Sequence, residues 1–411
     1  MIDRDRLEPG IRQWMARNAE ISAELPQAEG WPARRDRERR LSDRLAEELA
    51  GPVNPEAVIE DVEVPVSGGL YAKRVRPRRP GRVGMSGAAG SAHTARTAGT
   101  ARSAHTAGTA EAAADERLPT QVYLHGGGFV SGTARERIHD VFLSDRAARA
   151  GVQIYALDYR LAPEHPYPAA VEDTLAFLDL LTSQDTAPEW GADPSRVGVG
   201  GASAGGHVAA VAAVRWRAGA GAPGQSTVGS VERERSQAER PPLVHQLLEI
   251  PALSFRLDWP STREFAGPEE QQGAALVAMA YLGMDPSALA GLAPLGAVGS
   301  AGPQAERGAA ALSAVAAALA GAAADPLFDP ESLPLDALRA LPRAMVMTAE
   351  LDPLRDGGEA YAHHLEQAGV ATRLRRGLGQ LHGTQGLLAT VASSRDWQDA
   401  AVEELREAYS V

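Results

Sequence analysis

The sequence predicts an α/β fold with a mostly parallel sheet, on three observations. Segments with strand character alternate with segments of helical character along most of the chain. A Gly-x-Ser-x-Gly pattern lies between one such strand and the next helix, and a run of glycines follows an earlier strand. Alternation of this kind is typical of a sheet covered by helices on both faces. Chemistry is then expected at the carboxyl ends of the strands.

Two N-terminal helices, around Ile11 to Met15 and Leu41 to Leu49, are predicted from apolar residues at helical spacing. The first two strands flank a Ser-Gly-Gly turn and are predicted to pair as an antiparallel edge. The predicted strands are Val58–Val66, Leu70–Arg76, Gln121–Leu124, Val152–Leu157, Arg196–Gly200, Leu243–Ile250, Ala344–Thr348 and Thr372–Arg375. The predicted helices among them are Ala169–Leu181, Ala204–Ala218, Gly358–Ala368 and Ser394–Tyr409.

Length and composition restrict the possible functions. The 411 residues fit one catalytic domain with additions. With 53 acidic against 41 basic residues the formal charge is −12, so no general attraction to nucleic acid or anionic membranes is expected. The absence of cysteine excludes disulfides, thiolate metal sites and cysteine nucleophiles. No signal-peptide core or membrane span is recognised, so a cytoplasmic location is expected.

Three low-complexity segments interrupt the alternation, at about 84–116, 217–242 and 296–324. The first repeats Ser-Ala-His-Thr-Ala with almost no large apolar residue and is predicted to be disordered. The second is polar and contains Gly and Pro, and the third is so rich in Ala that partial helix is expected. The function is expected to lie outside all three.

Ser203 is the predicted nucleophile. The run Gly201-Ala202-Ser203-Ala204-Gly205 directly follows a strand and begins a helix, the setting of a nucleophile elbow. The tight turn strains the serine and projects its hydroxyl, while the glycines leave room for neighbouring backbone. It also aims the Ala204 N–H at the reacting carbonyl. Because the chain has 42 glycines, the pattern alone is weak evidence and its setting makes it specific.

A glycine run supplies a second part of the predicted site. His125-Gly-Gly-Gly-Phe129 follows a strand and offers backbone N–H groups that no side chain shields, as an oxyanion hole requires. A dinucleotide-binding loop is the alternative. It is disfavoured because both Gly126-x-Gly128 and Gly198-x-Gly200 lack the third glycine of that motif.

His382 is the predicted base. In sites of this kind the acid and then the base follow the nucleophile along the chain, and His382 comes after the last predicted strand. Of the ten histidines, His93 and His105 lie in the first low-complexity segment. Four others lie within predicted helices or strands and are expected to be structural: His207, His245, His363 and His364.

Asp352 is the leading candidate for the acid. It follows the buried strand Ala344–Thr348 at its carboxyl end, where a triad acid is expected. An Asp-Pro pair also favours a turn, and on spacing alone Glu350 or Asp356 could take the role.

Together these residues resemble the motifs of the bacterial hormone-sensitive-lipase-like carboxylesterases of the α/β-hydrolase superfamily. Five motifs occur in the family's order, and the resemblance runs from about Val58 to the C-terminus apart from the three low-complexity segments. The motifs are His125–Phe129, Asp158–Ala170, Gly201–Gly206, Asp352–Gly357 and His382–Gly383. The resemblance implies an α/β-hydrolase fold with a mostly parallel eight-stranded sheet, helices on both faces and a helical cap.

The resemblance also implies residue roles. Asp352 serves as acid and Asp356 is structural, while the Asp158–Ala170 motif braces the floor of the site without direct chemistry. The oxyanion hole is implied to consist of the N–H groups of Gly126, Gly127 and Ala204. Residues 1–55 are expected to form an N-terminal cap segment and 56–411 the catalytic domain, with a second cap contribution at about 256–295.

The implied activity is hydrolysis of short-chain acyl esters by Ser203, His382 and Asp352 through an acyl-enzyme. No metal or cofactor is expected, the partner is a small-molecule ester, and a homodimer is left open. Acyl transfer or amide hydrolysis on the same triad, or non-catalytic ligand binding, are the alternatives; the presence of His382 disfavours the last. Two departures stand out: Ala202 where the family has Asp, and Thr384 where it has an aromatic residue.

We predict that replacing Gly84–Glu116 by a short Gly/Ser connector leaves stability and ester hydrolysis nearly unchanged, because each doubling of loop length costs only about 0.6 kcal/mol. Melting temperature and kcat/KM across acyl chain lengths should be compared for the two proteins. A loss of efficiency of about tenfold at unchanged stability would place the segment in the active site instead.

Overall fold

The computed structural model describes residues 7–78, 117–218, 240–256, 258–284 and 326–410. Of the low-complexity segments, 84–116, 296–324 and most of 217–242 lie outside the described residues. The strands are β1 (Ala57–Val64), β2 (Leu70–Pro77), β3 (Leu118–Leu124), β4 (Gln153–Leu157), β5 (Ala192–Ala202), β6 (His245–Glu249), β7 (Arg343–Leu351) and β8 (Thr372–Leu381).

The helices lie on both faces of the sheet and over the carboxyl ends of its strands. They are α1 (Pro9–Glu24), α2 (Gly30–Leu49), α3 (Arg137–Ala150), α4 (Ala169–Thr182), α5 (Ala204–Ala218), α6 (Pro260–Phe265), α7 (Pro268–Tyr281), α8 (Leu335–Leu338), α9 (Arg355–Gln367) and α10 (Ala392–Tyr409). No helix within the described ranges has the length and apolar character needed to cross a bilayer.

The eight strands form one sheet in the order β1-β2-β4-β3-β5-β6-β7-β8. The predicted antiparallel edge is confirmed, since β1 pairs with β2 and β2 with β4 in antiparallel register. All the other neighbours are parallel. Strand β5, which leads to Ser203, lies between β3 and β6, so the loops after these three strands meet at one edge of the sheet.

Both faces of the sheet are covered, as predicted. Strands β4 and β6 are buried at every position, as expected for strands covered on both faces, and their polar residues, among them His245 and Glu249, are buried with the apolar ones. On one face α4 and α5 pack through side chains such as Phe177 and Val208. On the other, α3 and α10 pack through Phe142 and Trp397.

Helix α3, like the short α8, was not predicted from the sequence. Its buried residues include His139, Ser144 and Arg146 beside Val141 and Phe142. Polar residues on the buried face hide the apolar periodicity by which an amphipathic helix is recognised. The helix ends at Gly151, whose φ of 70° is the left-handed conformation of a glycine C-cap.

The two N-terminal helices pack over the carboxyl ends of β7 and β8. Ile11, Ile21 and Leu49 are buried in one cluster with Leu351, which ends β7, and Leu387, which follows β8. The acid and base candidates leave the sheet at these two strand ends. This packing therefore covers the loops that carry them.

Candidate active site

The turn at Ser203 has the geometry of a nucleophile elbow. Strand β5 ends at Ala202, α5 begins at Ala204, and Ser203 between them has a φ of 56°, in the left-handed region. A Cβ atom at Gly205 would lie 2.0 Å from the Leu124 carbonyl oxygen, and one at Gly201 2.5 Å from the same oxygen. Only glycine fits at both positions, because the end of β3 approaches the turn so closely.

The predicted base and acid lie in line with the serine. Ser203 Oγ is 2.9 Å from His382 Nε2, and His382 Nδ1 is 2.8 Å from Asp352 Oδ2. With its proton on Nδ1, the ring donates to the carboxylate and accepts from the hydroxyl. Asp352 is 1% exposed, and its Oδ1 accepts a hydrogen bond from the Leu354 N–H. These contacts fix the carboxylate and, through it, the imidazole.

The charge of Asp352 also acts on the pKa of His382. Burial disfavours the imidazolium, but the attraction of the Asp352 carboxylate and the hydrogen bond to it outweigh burial, and the pKa of His382 is raised above 6.5. The ring is 36% exposed, so its loss of hydration is partial. The imidazolium is therefore stabilised where a proton from Ser203 would arrive.

The two alternative acids lie elsewhere. Glu350 Oε2 accepts from the Gly379 N–H at 2.7 Å. Asp356 Oδ2 accepts from the Ser261 N–H at 2.8 Å and so ties α9 to the start of α6. Of the three carboxylates left open by spacing, Asp352 is the one that the structure brings to His382.

The other histidines in predicted elements occupy different environments. Burial lowers the pKa of His207 to about 4, and its Nδ1 lies 3.1 Å from the Ala252 carbonyl oxygen. His245 is buried 3.2 Å from Glu404, and His364 Nδ1 lies 2.8 Å from the Glu331 carbonyl oxygen. His363 is exposed beside Glu366. His93 and His105 lie outside the described residues.

The glycine run lies beside the nucleophile. A Cβ atom at Gly126 would be 3.4 Å from Ser203 Cβ, and Gly127 has a φ of 114°. Within the described ranges, no backbone or side-chain acceptor takes the N–H of Gly126 or Gly127. Two donors are thus open next to Ser203, and the Ala204 N–H stands at the first position of α5, where helix N–H groups lack intrahelical partners.

The Asp158–Ala170 motif supports this loop from behind. The Tyr159 hydroxyl donates to the His125 carbonyl at 2.8 Å, and the two rings stack with centroids 4.4 Å apart. Asp158 accepts from the Thr133 hydroxyl and the Ala134 N–H. These contacts agree with the expected bracing role.

Both departures from the family pattern have a structural context. Thr384 is fully buried; its hydroxyl accepts from the Leu381 N–H at 3.1 Å and donates to Gln380 Oε1. The turn that follows His382 is therefore polar and hydrogen-bonded. Thr384 occupies the position in it where an aromatic residue was expected. Ala202 is buried in the apolar cluster of the α3 face, with only a methyl group beside the elbow.

A cavity of about 700 Å³ opens at Ser203. One wall comes from α1 and α2, which lie in the predicted N-terminal cap segment. The other comes from the glycine run with α6 and α7, which lie in the second predicted cap contribution. Apolar side chains dominate; they include Trp14, Leu41, Leu45, Phe142, Phe255, Val277 and Ala278. Glu136 adds a carboxyl whose pKa burial raises to about 7. An apolar substrate with few polar groups fits these walls.

Sequence reasoning missed a buried charge network beneath the elbow. Glu249 ends β6 and is bound by Arg146 of α3 and Trp397 of α10. A glutamate inside the apolar run Leu247-Leu248-Glu249-Ile250 was the available signal, because a charge within a buried strand requires a partner.

Comparisons with known proteins agree with this fold. The family described as alpha/beta hydrolase fold matches residues 121–298 and 300–386. The chain belongs to this family. It is 32% identical over 296 residues to the carboxylesterase NlhH of Mycobacterium tuberculosis, covering 71% of this chain and 75% of that protein. The esterase LipI of the same species is 31% identical, with 70% and 72% covered.

Solved esterase structures are similar over nearly the whole chain. An esterase of Pyrobaculum calidifontis matches with a TM-score of 0.64 and 26% identity, covering 98% of both chains. The thermostable carboxylesterase EstE1, cloned from a metagenomic library, has a TM-score of 0.64 and 25% identity, covering 93% and 98%. This α/β-hydrolase is thus a carboxylic ester hydrolase of the hormone-sensitive-lipase-like group.

We predict that Asp352→Asn lowers kcat by about 10³- to 10⁴-fold, because the amide cannot hold the imidazole tautomer or balance the imidazolium. Asp356→Asn is the matched control and should keep most of the activity, since Asp356 binds the start of α6. Steady-state kinetics with one p-nitrophenyl ester compare the two. The reverse order of losses would transfer the acid role to Asp356.

Proposed function

We propose that the hydrolase cleaves short-chain acyl esters with Ser203 as nucleophile, His382 as general base and Asp352 as the acid that orients it. The main support for this proposal is the continuous series of hydrogen bonds from Ser203 through His382 to Asp352. Ser203 Oγ lies 2.9 Å from His382 Nε2, and His382 Nδ1 lies 2.8 Å from Asp352 Oδ2. The first distance lies in the range for proton transfer between a nucleophile and its base, and the second is that of the hydrogen bond by which the acid orients the base.

In the proposed first step, Ser203 Oγ attacks the ester carbonyl while its proton passes to His382 Nε2. The carbonyl oxygen becomes an anion, and the N–H groups of Gly126, Gly127 and Ala204 stabilise it. Asp352 stabilises the imidazolium that has formed. When the tetrahedral intermediate collapses, His382 gives the proton to the leaving alcohol and an acyl-enzyme remains.

In the second step, His382 takes a proton from water, and the hydroxide that results attacks the acyl carbonyl. Collapse of this second intermediate releases the carboxylic acid and returns the proton to Ser203. The same donors serve both anions. Apart from the ester and water, the groups in this proposed cycle are side chains and backbone N–H groups of the chain.

The preference for short acyl chains rests on the family resemblance alone; the names of the relatives, esterase and carboxylesterase, support ester hydrolysis. A p-nitrophenyl ester series of increasing acyl length tests it. The highest kcat/KM is expected for the short chains; a steady rise to long chains would contradict the preference while leaving ester hydrolysis intact.

Ser203→Ala is predicted to reduce ester hydrolysis by several orders of magnitude, because without the nucleophile only oxyanion stabilisation and substrate binding remain. Ser195→Ala is the matched control, an exposed serine on the same strand, and should hydrolyse esters at the wild-type rate. A phosphonate ester should label the wild type once, at Ser203 by peptide mapping. Label on another serine, or near-normal turnover of Ser203→Ala, refutes the assignment.

The pH profile follows from the raised pKa of His382. Only the neutral ring accepts a proton, so kcat/KM should rise with pH and reach half its plateau above pH 6.5. In Asp352→Asn the attraction that raises the pKa is gone, and the midpoint of the residual activity should move to lower pH. A flat profile across roughly pH 5 to 9 would indicate a different base.

A further inference from the structure

The end of β6 holds a buried ion pair that takes no part in the proposed chemistry. Arg146 Nη1 lies 2.6 Å from Glu249 Oε2 and Nη2 2.7 Å from Oε1, a bidentate contact between side chains that are 2% and 1% exposed. The Trp397 N–H donates to Glu249 Oε1 at 2.7 Å. The carboxylate therefore receives three directional hydrogen bonds from two helices on the same face of the sheet.

The same glutamate is joined to the nucleophile through its main chain. The Glu249 carbonyl oxygen accepts the N–H of Ser203 at 2.9 Å, and Glu249 stands opposite Ala202 in the parallel register of β5 and β6. Ser203 is held in a left-handed conformation that costs energy for any residue but glycine. The hydrogen bond to Glu249 is one of the contacts that keep it there.

Arg146 is in turn fixed to both helices. Its Nε donates to Gln398 Oε1 at 2.9 Å, and Gln398 Nε2 donates to the Phe142 carbonyl at 2.8 Å. The guanidinium also lies over the Phe142 ring, 4.8 Å from its centroid. Arg146 has little freedom of its own, so a displacement of Glu249 would have to move α3 or α10.

Stability alone is a weak reason for such a pair. Burying two charges loses hydration free energy that their mutual attraction often fails to recover. A protein with apolar residues of the same size in place of the pair is often as stable or more stable. Apolar residues, however, do not fix the orientation of their neighbours. A bidentate pair of an arginine and a carboxylate does, because its two hydrogen bonds have a defined geometry. Ala202, the neighbour in register, has no polar group with which to fix the elbow itself.

We propose that Arg146 and Glu249 are positioning residues that hold the Ser203 backbone, and hence its hydroxyl, in the orientation for attack. This inference rests on the proposed function of Ser203. It predicts a specific effect: loss of the pair should lower kcat and leave KM nearly unchanged, since neither Arg146 nor Glu249 lines the cavity.

The decisive variant replaces both partners by apolar residues of similar size, Arg146→Met with Glu249→Leu, which avoids leaving one charge buried. Trp397 and Gln398 each lose a hydrogen-bond partner in this variant, so its melting temperature should fall modestly, while kcat falls about 10- to 100-fold, as expected for a small misplacement of a reacting group. KM should stay within about threefold. Unchanged kcat in the folded double variant overturns the proposal.

His245→Leu with Glu404→Leu is the matched control. It removes a buried pair from the opposite end of β6, where the side chains are 0% and 1% exposed and lie 3.2 Å apart. Glu404 also binds Arg343 and Arg373, but both are partly exposed, so water can hydrate them in the variant. A change in melting temperature with no fall in kcat is expected. If this variant loses kcat as much as the elbow variant, the effect is general to buried pairs in the sheet, and the positioning role is refuted.

Arg146→Lys is the variant that tests the proposal if the double variant does not fold. It keeps the charge but loses the bidentate fork, so a smaller fall in kcat at unchanged KM is expected, and wild-type kcat would overturn the proposal. Labelling by a phosphonate ester separates the two hypotheses. No label at Ser203 of the wild type refutes the proposed function; equal labelling rates in wild type and variants refute positioning alone.

Discussion

The close approach of β3 to the turn after β5 is the constraint on which the site depends. The Leu124 carbonyl lies where side chains at Gly201 and Gly205 would have to be, so both positions need glycine. In return, the chain that leaves β3 passes directly beside Ser203 and brings the Gly126 backbone against it. The same tight backbone contact thus shapes the elbow and places the predicted oxyanion loop beside it.

The proposed acid and base meet because their strands are neighbours with matched ends. Leu351, near the end of β7, pairs with Leu381 at the end of β8, and the next residues are Asp352 and His382. Two residues 30 positions apart in sequence thereby leave the sheet side by side. The loop held by Thr384 then carries the imidazole across to the end of β5, and the carboxylate stays buried behind it.

Local patterns explain which parts could be predicted from the sequence. The elbow, the glycine run and the strands that precede them are each encoded within about ten residues, and the fold follows from their alternation. The choice of Asp352 over Glu350 or Asp356 could not be made from spacing, because it depends on which carboxylate the β7–β8 register directs to His382. Family resemblance pointed to the carboxylate that the structure places there.

The parts that escaped prediction depend on contacts between distant segments. Helix α3 presents Arg146 and His139 to the interior, which is inconsistent with the apolar stripe of an ordinary surface helix. Arg146 finds Glu249 more than 100 residues later. A charged residue in a buried strand indicates that it has a partner of opposite charge. A single sequence does not show which of the 41 basic residues is that partner.

The arrangement separates the groups that react from those that select the substrate. The side chains proposed to react follow β5, β7 and β8 and are fixed by strand register and by buried hydrogen bonds. The cavity walls come instead from α1, α2, α6 and α7, through side chains such as Trp14, Leu41 and Val277. Substitutions in these walls can therefore change which acyl or alcohol group fits without moving Ser203, whereas a substitution beneath the elbow, at Arg146 or Glu249, would alter turnover of every ester alike.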